Sequence, residues 1–314
     1  MNSKMFALAV AALLGCFAWP VVASPVEVAV DDRVVETTEL DESESGWEWG
    51  TSVGVTYHSK YVIYGLTYNQ HGVLVPNVEL SWGHEDYFTL AVGVDTYFDM
   101  TNYGAKDGGY GDRRWKYSEL DPYVSLSRTW ALTEDVGLYT EAGYFYEYHP
   151  RSCNKPDLGY RYADAQYFTF VIGLEDNILN PTFTLEYQVA GAHWGEDSAT
   201  GKGGLYATFE LSHTFDISNW FGLDEEAVVL TPTVGIATAN KNRNQLDLEM
   251  EDTWMFRDAF ARLEMVYSPC ENLSITPYIA CHQQLDADAR AYVRENFDGN
   301  DFVGYAGIGI SYEF

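Results

Sequence analysis

Residues 301–314 read DFVGYAGIGISYEF and alternate in character from end to end. Phe302, Gly304, Ala306, Ile308, Ile310, Tyr312 and Phe314 share one side, and Val303, Tyr305, Gly307, Gly309, Ser311 and Glu313 take the other. A period of two sends successive side chains to opposite faces of a strand. Here one face is bulky and apolar, and the other is small and polar.

The same division runs back through the chain. In 87–98, Phe88, Leu90, Val92 and Val94 oppose Thr89, Ala91, Gly93 and Asp95; in 204–215, Leu205, Phe209 and Leu211 oppose Thr208, Glu210 and Ser212. Twelve such runs are read, at 47–58, 72–82, 87–98, 115–128, 135–148, 162–175, 182–191, 204–216, 227–238, 255–267, 273–284 and 301–314. No helical run of comparable length accompanies them. The connections at 59–71, 99–114, 149–161, 192–203, 239–254 and 285–300 are long and polar, whereas most of the others are short, such as 83–86. An even strand count with alternating long and short connections predicts an all-β fold over 47–314, a transmembrane antiparallel up-and-down β-barrel of about 12 strands. Both chain ends then lie on the short-turn, periplasmic side.

A water-soluble barrel can alternate too, with its apolar face inward. The polar rows separate the two cases: rich in Gly, Ser and Thr with lone carboxylates at mid-strand, they suit a wet lumen, and the aliphatic rows suit lipid. Trp47, Trp49, Trp82, Phe215, Tyr267, Tyr312 and Phe314 fall near the short turns, and Tyr57, Phe98, Tyr146 and Tyr148 near the long loops. Two aromatic belts around an aliphatic band match the interfacial preference of amphipathic rings. Closure into a barrel is the strand arrangement that leaves no unpaired backbone in lipid.

Lys4 followed by the apolar stretch 5–23, ending Val21-Val22-Ala23 before Ser24, predicts a signal peptide over 1–23 and export to the outer membrane. Residues 24–46 carry eight acids, one base and no aromatic, which predicts a solvated, disordered periplasmic tail. The 314-residue chain holds 18 Lys and Arg against 47 Asp and Glu, a net charge of −29 that excludes a general nucleic-acid binder. Beyond the leader, Cys153, Cys270 and Cys281 remain, allowing at most one internal disulfide and fitting no zinc site. No metal cluster or cofactor motif is read; Gly201-Lys202-Gly203-Gly204 precedes no helix, so it makes no phosphate cradle.

Ser59-Lys60-Tyr61-Val62-Ile63-Tyr64-Gly65-Leu66, followed by 75–82, resembles the opening motif of TorF-family porins, with Tyr64 where that family usually has Arg. Glu119-Leu120-Asp121-Pro122-Tyr123 is similar to a later motif of the same family. The resemblance implies a porin-type barrel. The strand ending on Phe314 resembles the C-terminal assembly signal of bacterial outer-membrane proteins, which implies the barrel-assembly machinery as a partner.

The alternation places Glu79, Asp95, Asp121, Glu141, Glu186, Gln188, Glu210, Arg262 and Glu264 on the inner wall as candidate pore-lining residues, with Glu48, Glu147, Glu175, His282 and Glu313 on the same side. At about 3.3 Å per residue, Asp121, Glu141, Glu186, Glu210 and Glu264 fall near mid-height. Arg262 and His282 are the positive charge expected on this wall. Dry burial of an unpaired carboxylate costs several kcal/mol, so water or loop bases must reach these acids. Twelve of the 17 bases after residue 23 lie in the long connections, Arg243 among them. They either grip lipopolysaccharide at the outer rim or enter on a loop that folds inward to meet the acids.

The expected function is a narrow, cation-preferring channel for passive diffusion of small cationic or neutral solutes, set in outer-membrane lipid and lipopolysaccharide. The alternative is a non-conducting structural or adhesive barrel acting through its loops. An outer-membrane hydrolase would need a Ser and a His together on the lipid face. His213 is the one histidine at an outward strand position and has no Ser two residues away on that face, so no catalytic residue is assigned.

Overall fold

The computed structural model describes residues 46–84, 86–100, 116–133, 136–149, 164–175, 179–191, 202–250, 254–296 and 300–314. The predicted leader, the acidic tail up to residue 45 and Cys153 lie outside the described residues. No disulfide joins Cys270 to Cys281.

The first strands are β1 (Glu48–His58), β2 (Tyr61–Ile63), β3 (Leu66–Asn69), β4 (Val73–Gly83), β5 (Thr89–Asp99) and β6 (Lys116–Ala131). Then come β7 (Gly137–Glu147), β8 (Ala165–Glu175), β9 (Pro181–Gly191), β10 (Leu205–Ser212) and β11 (Phe215–Asp216). The last are β12 (Val228–Ala239), β13 (Met255–Cys270), β14 (Leu273–Gln284) and β15 (Phe302–Glu313), with helices α1 (Lys241–Leu248) and α2 (Ala287–Asn296) between them. Each barrel strand pairs antiparallel with its neighbours, β1 meets β15 (Val55 opposite Ile310), and β10 meets β12 (Phe209 opposite Ile236). Twelve strands therefore close into a ring; the two-residue β11 continues β10 along β12 in the same sheet, and β2 and β3 pair separately. Closure removes every edge, as lipid requires.

The strand boundaries follow the alternation closely; the run at 273–284 is β14 itself. Two expectations need correction. The run at 204–216 is interrupted at 213–214: β10 ends at Ser212, and β11 resumes the pairing with β12, Phe215 opposite Leu230, before the Asp216 carboxylate accepts from the Ser218 and Glu226 amides and turns the chain into a short 3₁₀ segment, Ser218–Trp220. The long connections, where no helix comparable to the strands is read, contain α1 and α2. Neither shows a strong apolar stripe; caps hold their starts instead, Asn240 accepting from the Arg243 amide and Asp286 from the Asp288 and Ala289 amides.

The facing of the rows settles which solvent meets which wall. Leu80 and Val92 are each 51% exposed on the outside, while Asp95 and Asp121 are 3% and 2% exposed on the inside. The exposed outer rows also include Val78, Leu126, Phe170, Phe183, Val234, Ile308 and Ile310. An apolar outer band on a closed barrel is the surface a bilayer needs, so the fold is a transmembrane up-and-down barrel. Rings gather at its ends: Trp47 stacks on Trp82 at 4.2 Å, and Tyr312 meets Phe314 edge-on at 4.8 Å. Inner-face glycines are roofed, not vacant. Gly93 lies under the ring of its cross-strand partner Tyr123, and Gly235 under Phe260.

Candidate functional site

The site is the lumen, and the inner wall is built as the period of two requires. Glu79, Glu141, Glu186, Glu210 and Glu264 all sit on inward strand positions, with Asp95 and Asp121 directly opposite one another on β5 and β6. Polar neighbours serve several of them: Tyr123 donates to Glu79 at 2.6 Å, Tyr139 to Glu141 at 2.5 Å, and Thr208 to Glu210 at 3.3 Å. Arg262 pairs with Glu264, two residues along the same strand. Glu79, Glu210, Arg262 and Glu264 are only half-buried, whereas Asp95, Asp121, Glu141, Glu186 and Gln188 are buried. The expected lining residues therefore divide into four that reach solvent and five that are covered.

The cover comes from the first long loop. Residues 61–69 form a β2–β3 hairpin whose two turn residues, Tyr64 and Gly65, have φ of 51° and 73°. Left-handed backbone at both positions is the geometry of a type I′ turn. A tyrosine there is costly, about 1–2 kcal/mol, so the tip must be held by its contacts. Those contacts lie across the bore. The Tyr64 hydroxyl donates to Glu186 of β9, and its ring packs against Tyr206 of β10 at 4.7 Å. Counting round the ring, β9 stands six strands from β1 in either direction. The hairpin leaves one wall and touches the opposite one.

A buried charge network locks the tip. Arg243, on α1, lays its guanidinium over the Tyr64 ring at 3.6 Å and approaches Glu186 at 3.8 Å. The same side chain donates to Asp247 at 2.8 Å and to Gln188 at 3.3 Å. Asp247 also pairs with Arg257 of β13. Burial alone pushes the Asp247 carboxyl up, but Arg243 and Arg257 outweigh it and hold the group below its ordinary value of 3.8. Above this network, Leu66, Leu248, Met255, Ala289 and Val293 form one apolar cluster that ties the hairpin to α1 and α2. Gln284 donates to the Gly65 carbonyl at 3.0 Å, and Tyr61 to Glu119 at 2.9 Å.

Two parts of this arrangement escape the period of two. Arg257 was not expected inside: counting back from Arg262 puts it on the lipid face. A β-bulge opposite Ala237 and Thr238 turns both Arg257 and Asp258 inward, so Arg262 and His282 are not the wall's only bases. The signal was the charge itself, since an arginine on a lipid-facing row asks for a bulge. Asp258 then accepts from Tyr206 at 2.8 Å and meets His282 Nδ1 at 2.8 Å. The second is Arg243, one of twelve loop bases with nothing local to single it out. His213, the outward histidine, stacks edge-on with Phe215 at 4.4 Å.

No family model matches the chain, and no curated protein is significantly similar to it. The TorF-like motifs therefore remain likenesses of short stretches, the first of which is the inserted hairpin. Among solved structures the chain is similar to the KdgM porin, at 9% identity over 84% of this chain and 99% of that one, with a TM-score of 0.42. It is similar to the translocator domain of the autotransporter NalP from Neisseria meningitidis, at 14% identity over 88% and 91%, with a TM-score of 0.36. It is similar also to outer membrane phospholipase A from Escherichia coli, at 10% identity over 83% and 92%, with a TM-score of 0.40. A porin, a translocator and a phospholipase share little beyond the barrel, and no solute or reaction passes from them to this chain.

Proposed function

We infer that the protein is an outer-membrane porin-like channel for passive diffusion of small solutes, narrow and cation-preferring. The observation that carries this reading is the imbalance of charge on the inner wall. Seven expected lining carboxylates, Glu79, Asp95, Asp121, Glu141, Glu186, Glu210 and Glu264, face a lumen served by Arg243, Arg257 and Arg262. A water-filled passage past such a wall favours cations, as carboxylate rings do in channels. The inserted hairpin supports the narrow bore. On this reading the aromatic rims meet lipid and lipopolysaccharide, and the strand ending in Phe314 serves the barrel-assembly machinery. Planar-bilayer recording across a potassium chloride gradient tests it: the reversal potential should show potassium passing ahead of chloride. Chloride preference, or silence in several salts, would refute it.

The hairpin also favours a second reading, a closed structural or adhesive barrel. It spans the whole bore and is held by a buried ion network at its tip. Liposomes containing the protein would then pass no small solute, while cells carrying it bind a surface that cells lacking it do not.

A further inference from the structure

Arg128 stands on the outer wall. On β6, Val124, Leu126 and Trp130 are exposed toward lipid, and the period of two puts Arg128 in their row. No bulge turns it inward as one turns Arg257. From Tyr123 to Ala131 the register against β7 is unbroken, with Arg128 opposite Thr140 and Trp130 opposite Leu138. The guanidinium lies over the Trp130 ring, 3.8 Å from its centroid. That ring is itself fixed: its indole N–H donates to the Thr140 hydroxyl at 3.1 Å, and this hydroxyl donates to the Arg128 carbonyl at 3.2 Å. Arg128 Nε is buried without a hydrogen bond, and among the described residues no carboxylate pairs with the guanidinium.

Carboxylates are plentiful at this end of the chain's barrel. The short connections 83–88, 132–136, 176–180, 213–227 and 268–272 hold ten Asp and Glu and no Lys or Arg. A guanidinium that needed only a counter-charge would pair with one of them. Arg128 instead lies flat on an indole at the lipid side, where a ring face steadies a cation without neutralising it. The wall around it is ordered as a phospholipid is. Toward mid-membrane come aliphatic side chains, Leu90 opposite Leu126 and Val92 opposite Val124. Beside them stand rings: Trp82, opposite Leu90, meets Phe88 edge-on at 6.2 Å, and Trp49 lies 6.2 Å from Trp82. Acyl chains suit the aliphatic rows, and a phosphate suits the unpaired guanidinium among the rings. An arginine costs little on the lipid face near an interface, where its long side chain reaches the headgroups.

We propose that Arg128 and Trp130 hold the headgroup phosphate of a phospholipid against the outer wall of β6, at the short-turn end. The site does not depend on whether the barrel conducts. The folded full chain, stripped of lipid in dodecyl maltoside, is titrated with dioleoyl phosphatidylglycerol and, separately, with dioleoylglycerol, which has the same chains and no phosphate. Native mass spectrometry counts the bound lipid. The parent should prefer the phospholipid by about tenfold, the size of one charge-assisted hydrogen bond. Arg128→Gln should abolish that preference and Trp130→Leu should reduce it, while Lys202→Gln, on a long connection, should keep it. Inorganic phosphate in large excess should not displace the lipid, because the chains hold it too. If Arg128→Gln fails to fold, the parent decides: a phosphatidylglycerol with a photoreactive headgroup should label the segment from β6 to β7. Equal binding of the two lipids by the parent, an unchanged preference in folded Arg128→Gln, displacement by inorganic phosphate, or labelling confined to the long connections would each overturn the proposal.

Discussion

Arg243 is the residue on which the hold of the hairpin tip turns, because it touches Tyr64, Glu186, Gln188 and Asp247 at once. Removing one partner of a buried pair leaves the other charge stranded, at about 3–5 kcal/mol. Arg243→Ala should therefore lower the unfolding midpoint, seen as a heat-induced gel-mobility shift at lower temperature, and raise single-channel conductance. Arg243→Lys keeps the charge but loses the flat stacking surface and the fork, so it should fall between the two. A different mechanism governs Gly235, whose added Cβ would run into the Phe260 ring. Gly235→Ala should cost about 1–3 kcal/mol by overpacking, with conductance unchanged. At this scale alternation was informative for Glu186 and Glu210, which stand where a period of two puts them. It failed for Arg257, because a bulge shifts the phase by one residue and the shift is set by the partner strand.

Among the elements, the inserted hairpin and α1 behave as one unit, clamped through Asp247. That carboxyl lies below its ordinary value of 3.8, so its link to Arg243 and Arg257 is complete above that pH and is lost as pH falls through the lowered value. The clamp should thus be unchanged between pH 7 and pH 5 and should weaken only below 3.8, read as a conductance increase in bilayers acidified on the long-loop side. Asp247→Asn should show the increase at neutral pH. The hairpin's own sequence hinted at a turn, since Tyr64-Gly65 splits two short β-rich runs. Whether it stood above the membrane or descended into the bore was not written there. The short helices were missed for a related reason: their stability comes from capping and from packing on Leu66 and Met255, not from a stripe of their own.

For the whole molecule the decisive property is which wall faces hydrocarbon. Val78, at the middle of β4, is 46% exposed on the outer side. Val78→Arg should cost about 2–4 kcal/mol at the bilayer midplane, measured as a lower folded fraction on insertion into lipid vesicles. An arginine at inward Thr184, beside Glu186, should fold nearly as well as the parent and shift the reversal potential toward chloride.

The amino-acid order alone determined the twelve strands, their two faces and the membrane as surrounding solvent, because each rests on contacts between residues one or two apart and on the side each presents. What fills the barrel was decided only in three dimensions. Tyr64 and Glu186 are 122 residues apart in the chain, and their contact depends on ring closure bringing opposite walls within reach of one hairpin. No local pattern encodes such a meeting, since the partners share neither a strand nor a turn.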